Sequence, residues 1–77
     1  MKLGQELVGV VKKKVTDRGY GFIHADDGQD YFFHFTDLQT GLEFDEIQEG
    51  LQVDFVIKRA PGPDKAGAAQ NVRHHEN

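Results

Sequence analysis

Short runs with a two-residue hydrophobic period, broken by glycine, make up most of this chain, and no stretch sustains a 3.6-residue period. Residues 6–15, ELVGVVKKKV, are rich in valine, as a strand requires. Residues 18–25 (RGYGFIHA) and 30–35 (DYFFHF) read as two more strands. Residues 51–59, LQVDFVIKR, alternate apolar and polar behind the turn-former Gly50. Residues 60–67, APGPDKAG, hold both prolines and two glycines and read as a loop, with a last strand over 68–75, AAQNVRHH. Between 36 and 50 the pattern is less regular: Thr36 and Asp37 suit the cap of one helical turn, but no long apolar period follows. Five short strands without a substantial helix predict an all-β fold, a small five-stranded antiparallel barrel whose closure removes exposed sheet edges.

The central two strands predict more than their own existence. A three-residue hairpin loop prefers glycine last, so Asp26, Asp27 and Gly28 form the loop and Ala25 faces Gln29. His24 then faces Asp30, Phe22 faces Phe32, and Tyr20 faces His34. Alternation puts Arg18, Tyr20, Phe22, His24, Asp30, Phe32 and His34 on one face, and Gly19, Gly21, Ile23, Tyr31, Phe33 and Phe35 on the other. Burying the first face would desolvate Arg18, His24, Asp30 and His34 together, at a cost a domain of this size cannot easily offset. The second face is therefore the predicted core, with Gly19 and Gly21 making room opposite Phe35 and Phe33. Tyr20, Phe22 and Phe32 are left as an outer aromatic platform. The ordinary alternative is that another part of the chain or a dimer partner covers these rings.

At 77 residues the chain fits one domain, expected over 1–77 with its core at about 6–73. It has no cysteine, which removes disulfides and thiolate metal sites. The opening MKLGQELVGV has no long apolar run and no segment is long enough to span a membrane, so the chain reads as cytoplasmic. The net charge of -4 at first argues against a nucleic-acid partner, but its distribution changes that picture. Residues 1–24 carry Lys2, Lys12, Lys13, Lys14 and Arg18 against Glu6 and Asp17, while residues 25–77 hold four basic and eleven acidic residues. Six of the eight aromatics lie within residues 18–35, beside the basic segment. A flat aromatic cluster edged by cations suits unpaired bases, which stack on rings while Lys12, Lys13, Lys14 and Arg18 follow the phosphates.

At these residues the chain resembles the bacterial cold-shock proteins, the single-domain form of the cold-shock domain. The family's first ribonucleoprotein motif, KGFGFI, reads RGYGFI from Arg18 to Ile23, and its second, VFVHF, reads YFFHF from Tyr31 to Phe35. The family's G-x-V-K opening matches Gly9 to Lys12, and its A-x-N-V closing matches Ala69 to Val72. The resemblance implies an OB-fold barrel that binds single-stranded RNA and DNA cooperatively and with low specificity, in RNA-chaperone or regulatory roles. By position it implies ligand contacts for Tyr20, Phe22, Phe32, His34 and Phe35, a loop aromatic at Phe44, and a polar edge pair, Lys12 and Asp30. Phe35 lies on the inner face by simple alternation, so the strand must twist or end there for it to take part.

Three departures stand out. Where the family continues its first strand as KWFN, this chain has KKKV, so Lys13 and Lys14 replace two aromatics. The usual Gly-Pro pair near residues 66 and 67 is missing. Two inner positions that are usually valine are Tyr31 and Phe33, so the core must be packed differently.

Other functions have less support. An RNA-recognition motif needs its aromatic second motif, a helix and a strand before Arg18, where only 17 residues stand. A cold-shock fold turned to protein interaction is motivated by the absent tryptophan and the negative charge. An enzyme would have to use His24, His34, His74 or His75. His24 and His34 share a face with Asp30, but no HxH or HExxH spacing accompanies them, and all four read as surface histidines. The expectation is a monomeric single-strand RNA or DNA binder with no catalytic residue, cofactor, metal or small-molecule substrate.

Overall fold

The computed structural model describes residues 4–75; Lys2, counted above with the basic segment, lies outside them. Five strands form in chain order: β1 (Glu6–Val15), β2 (Tyr20–Ala25), β3 (Asp30–His34), β4 (Gln52–Arg59) and β5 (Gly67–His74). They close into a barrel in the order β1-β2-β3-β5-β4. The expected antiparallel arrangement holds at every seam but one: β3 and β5 run parallel, pairing Tyr31 with Gly67 and Phe32 with Ala68. The correction is a matter of counting. Directions cannot alternate around a closed ring with an odd number of strands, so one neighbouring pair must run the same way.

The β2–β3 hairpin has the predicted register, from Tyr20 opposite His34 to His24 opposite Asp30. Its loop is closed by Ala25 N–H donating to Gln29 O at 2.9 Å and Gly28 N–H to Ala25 O at 2.9 Å. Gly28 has φ +83°, the left-handed conformation that this loop position demands. Ile23, Tyr31 and Phe33 are fully buried, joined in the core by Val11, Ile47, Val53, Phe55, Ile57 and Val72. No polar or charged residue is buried among the described residues. The face with four polar or charged groups is thus the outer one, as the desolvation argument requires.

Two of the three large rings in the core, Phe33 and Tyr31, fit because glycines face them. A Cβ on Gly21 would come within 2.8 Å of Phe33 Cζ, and one on Gly67 within 2.7 Å of the Tyr31 ring. Tyr31 packs on Phe55 with centroids 5.0 Å apart, and its hydroxyl donates to Asp27 Oδ2 at 2.7 Å at the hairpin tip. Burial first, and then the hydrogen bond to Asp27, push the phenol well above the usual tyrosine range.

Strand ends differ from the sequence reading in ways that matter for the outer face. Residues 18 and 19 do not belong to β2: Thr16–Arg18 form a 3-10 turn, capped by Gly19 in the left-handed conformation. β3 ends at His34, and Phe35–Asp37 form another 3-10 turn. Thr36 and Asp37 lie within that turn, and its cap is His34, whose N–H donates to Asp37 Oδ2 at 2.9 Å. Phe44–Glu46 form a third such turn in the long connection to β4.

Candidate nucleic-acid interface

Tyr20, Phe22 and Phe32 meet on the outer face as a triangle of half-exposed rings. Centroid separations are 6.1 Å for Tyr20–Phe22, 5.3 Å for Tyr20–Phe32 and 5.8 Å for Phe22–Phe32. The β2–β3 register alone brings them together, because Phe22 and Phe32 are cross-strand partners and Tyr20 lies two residues from Phe22. Edge and tilted contacts between the rings suit their quadrupoles, and they support one another while remaining open to water.

A second aromatic pair extends the platform past Tyr20. His34, the cross-strand partner of Tyr20, lies 4.4 Å from Phe35, centroid to centroid. Phe35 escapes the inner face because β3 stops one residue earlier, and it is 52% exposed. Its ring rests over Gly19, where a Cβ would lie 2.9 Å from Phe35 Cδ1, while Phe35 N–H donates to Gly19 O at 2.8 Å. The missing Cβ of Gly19 therefore leaves room for the ring beside the turn. His34 Nδ1 is 3.0 Å from Thr36 Oγ1 and accepts the Thr36 backbone N–H at 3.4 Å.

At the opposite end three polar groups converge. Lys12 Nζ reaches Asp30 Oδ2 at 2.8 Å, and His24 Nδ1 lies 2.8 Å from Asp30 Oδ1. The Lys12 ammonium, and then His24, hold the Asp30 carboxyl below the usual carboxylate range despite partial desolvation. The Lys12–Asp30 pair implied by the resemblance is thus formed. His24 is a third member of that group, absent from the expected contacts although the alternation had placed it on the platform face. Among the described residues no three His, Cys, Asp or Glu side chains are arranged to hold a metal.

The three lysines separate because β1 carries a bulge. Val11 pairs with Ile23, but the next pair is Lys13 with Phe22, so one extra residue is inserted. Strict alternation from buried Val11 would turn Lys13 inward; the bulge instead puts it opposite Phe22, on the platform side. Lys14 then pairs with Gly21, on the other side, and its ammonium stands 4.7 Å from the centre of the Phe44 ring. Phe44 is half-buried and tilts against core Phe33 at 6.5 Å. Of the expected site residues, Lys12, Lys13, Tyr20, Phe22, Asp30, Phe32, His34 and Phe35 share one surface. Lys14 and Phe44 pair with each other at its margin, and Arg18 is exposed in the turn that leads into β2.

Comparison with known proteins adds an independent line. Residues 7–75 match the 'Cold-shock' DNA-binding domain. The chain is 38% identical over 71 residues to the cold shock-like protein CspG of Escherichia coli strain K12, covering 91% of this chain and 96% of that protein. It is 47% identical over 64 residues to cold shock protein 1 of Lactiplantibacillus plantarum, covering 83% and 91% respectively. Cold shock protein CspB of Geobacillus stearothermophilus is 38% identical over 63 residues, covering 80% and 94%.

Proposed function

The chain belongs to the 'Cold-shock' DNA-binding domain family, and from this premise we propose that it binds single-stranded RNA or DNA as an RNA chaperone or a regulator of transcription or translation. The observation that carries the reading is the outward triangle of Tyr20, Phe22 and Phe32, formed on strands whose alternate residues Ile23, Tyr31 and Phe33 are fully buried. The alternation leaves the platform rings open, so a ligand ring gains a stacking surface without unfolding anything. Each base stacked on such a ring contributes about 1–3 kcal/mol, largely independent of its identity. Lys13 beside Phe22 and Lys12 at the platform edge supply cations along the path of a strand. Tolerant, rim-charged binding of unpaired segments is what keeps RNA from settling into unproductive pairings.

Titration with heptamers of oligo-dT and oligo-U at low and high salt tests this reading. Binding that weakens with salt but persists supports a mixture of stacking and phosphate contacts. The lysines in place of a stacking ring favour one other reading, an aromatic face turned to a protein partner. Absence of single-strand binding at low salt would transfer the platform to that role.

A further inference from the structure

We propose that His24 reads the edge of a nucleobase at the Lys12–Asp30 end of the platform, and that the sense of its reading reverses when it gains a proton. The inference rests on the single-strand reading above. Two histidines on this surface, His24 and His34, differ in hydrogen-bonding capacity.

Asp30 is ionised and bridged by two donors, with Lys12 Nζ at one oxygen and His24 Nδ1 at the other, both at 2.8 Å. An ionised carboxylate only accepts hydrogen bonds, so His24 Nδ1 carries a hydrogen whether the ring is neutral or charged. In the neutral ring Nε2 is consequently a bare acceptor. His34 has the opposite arrangement. Its Nδ1 accepts a backbone N–H from Thr36, so its Nε2 carries the hydrogen. His34 therefore presents a donor at Nε2 in either charge state, and His24 alone changes from acceptor to donor.

The surroundings let a base reach it. The His24 side chain is 56% exposed and follows Phe22 on the outer face of β2. It lines a groove with Lys12, Gln29 and Asp30, facing Asp64 and Lys65 of the loop between β4 and β5. A strand stacked on Phe22 and Phe32 runs into this groove at one end. The charged groups that face His24 are Lys12 from β1, Asp30 from β3, and Asp64 and Lys65 from the loop. Imidazole is the only one of these side-chain types whose charge ordinarily changes between about pH 8 and about pH 5.5.

Set against the 4-position of a pyrimidine, a neutral acceptor at Nε2 matches the exocyclic amine of cytosine, as it would the 6-amine of adenine, and rejects the carbonyl of thymine or uracil. Protonation turns the same atom into a donor with the reverse preference. His24 is in these terms a specificity-determining residue on a platform whose stacking contacts tolerate any base.

The test uses heptamers of thymidine in which cytosine replaces one thymine, each position in turn, with the all-thymine strand as reference. At about pH 8 one position should favour cytosine about two- to tenfold, the range of a single hydrogen bond, and at about pH 5.5 that preference should reverse. H24Q, whose amide both donates and accepts, should lose the pH dependence of the ratio while still binding; H34Q should keep it. A purely structural role for His24 in holding Asp30 would move overall affinity but not the ratio between bases. Wild-type protein that binds all the heptamers with a ratio independent of pH would overturn the proposal and leave the single-strand reading standing. So would an unchanged pH response in H24Q. If no heptamer binds at either pH, both readings fail.

Discussion

The Lys14 ammonium stands over the Phe44 ring, while the adjacent Lys13 lies across from Phe22 on the opposite side of the same strand. These two neighbouring lysines therefore make different contacts. Lys13 is exposed on the platform side, where the proposed single strand would bring its phosphates. Lys14 ties the connection between β3 and β4 to β1 through a cation–π contact, with its backbone N–H donating to Glu49 Oε2 at 3.2 Å. Lys13→Gln should flatten the slope of log affinity against log salt by about 0.7 for the lost phosphate contact. Lys14→Gln should change that slope less and lower stability by about 0.5–1 kcal/mol, read by denaturant unfolding. Equal slopes for the two variants would contradict the division.

Restoring a ring beside Phe22 should change the balance of forces. Lys13→Trp should bind single strands more tightly than wild type at high salt, where stacking survives and phosphate attraction is screened. The gain should shrink at low salt, where the lysine contributes most. A gain that is largest at low salt would mean that the new ring is not stacking.

Phe22→Ala and Phe32→Ala should each weaken single-strand binding by about 1–3 kcal/mol with little loss of fold, because both rings lie outside the core. Far-ultraviolet circular dichroism alongside the titrations separates the two effects. Unfolding with unchanged affinity per folded molecule would make the ring structural.

Gly21→Ala tests the inner face of the same strand. Its Cβ would lie 2.5 Å from Lys13 O and 2.8 Å from Phe33 Cζ, and the backbone oxygen cannot yield without disturbing the β1–β2 pairing. The variant should lose about 1–3 kcal/mol of stability, as overpacked cores do. A melting temperature equal to that of wild type would show that the bulge can absorb a methyl group.

Tyr31 sets a prediction at alkaline pH. Burial and the bond to Asp27 raise its pKa in the folded protein above the unfolded value of about 10. Above about pH 10 the unfolded chain loses the phenol proton while the folded chain keeps it, so stability falls as pH rises. That contribution is fully present below about pH 10. Tyr31→Phe should lose about 1 kcal/mol at neutral pH with the Asp27 hydrogen bond, yet decline less steeply than wild type between about pH 10 and 12. Parallel declines in the two proteins would remove Tyr31 from the alkaline transition.

The β2–β3 hairpin was legible from the sequence alone because its rules are local. The period of two, the three-residue loop closed by Gly28 and the cost of burying Arg18, His24, Asp30 and His34 together determined which rings face water. The same reasoning assigned Ile23, Tyr31 and Phe33 to the core, where the structure has them fully buried. Glycines at 21 and 67 then explain how large rings replace smaller residues there.

Only the tertiary structure decided where that alternation breaks. The bulge after Val11 turns Lys13 to the platform and Lys14 to Phe44. A second irregularity in β5, with Asn71 at φ +52°, lets Ala69 and Val72 both face the core although three residues apart. β3 ends before Phe35 because the chain caps a turn with His34 and Asp37, which frees that ring. These breaks answer to closing five twisted strands into one barrel, which needs local extra residues and one parallel seam. The partners that set charge at the site, Lys12 with Asp30 and Lys14 with Phe44, come from different strands and turns. Lys12 and Asp30 meet across the intervening strand β2, and Lys14 meets a turn far along the chain, so no local pattern in the sequence encodes either contact.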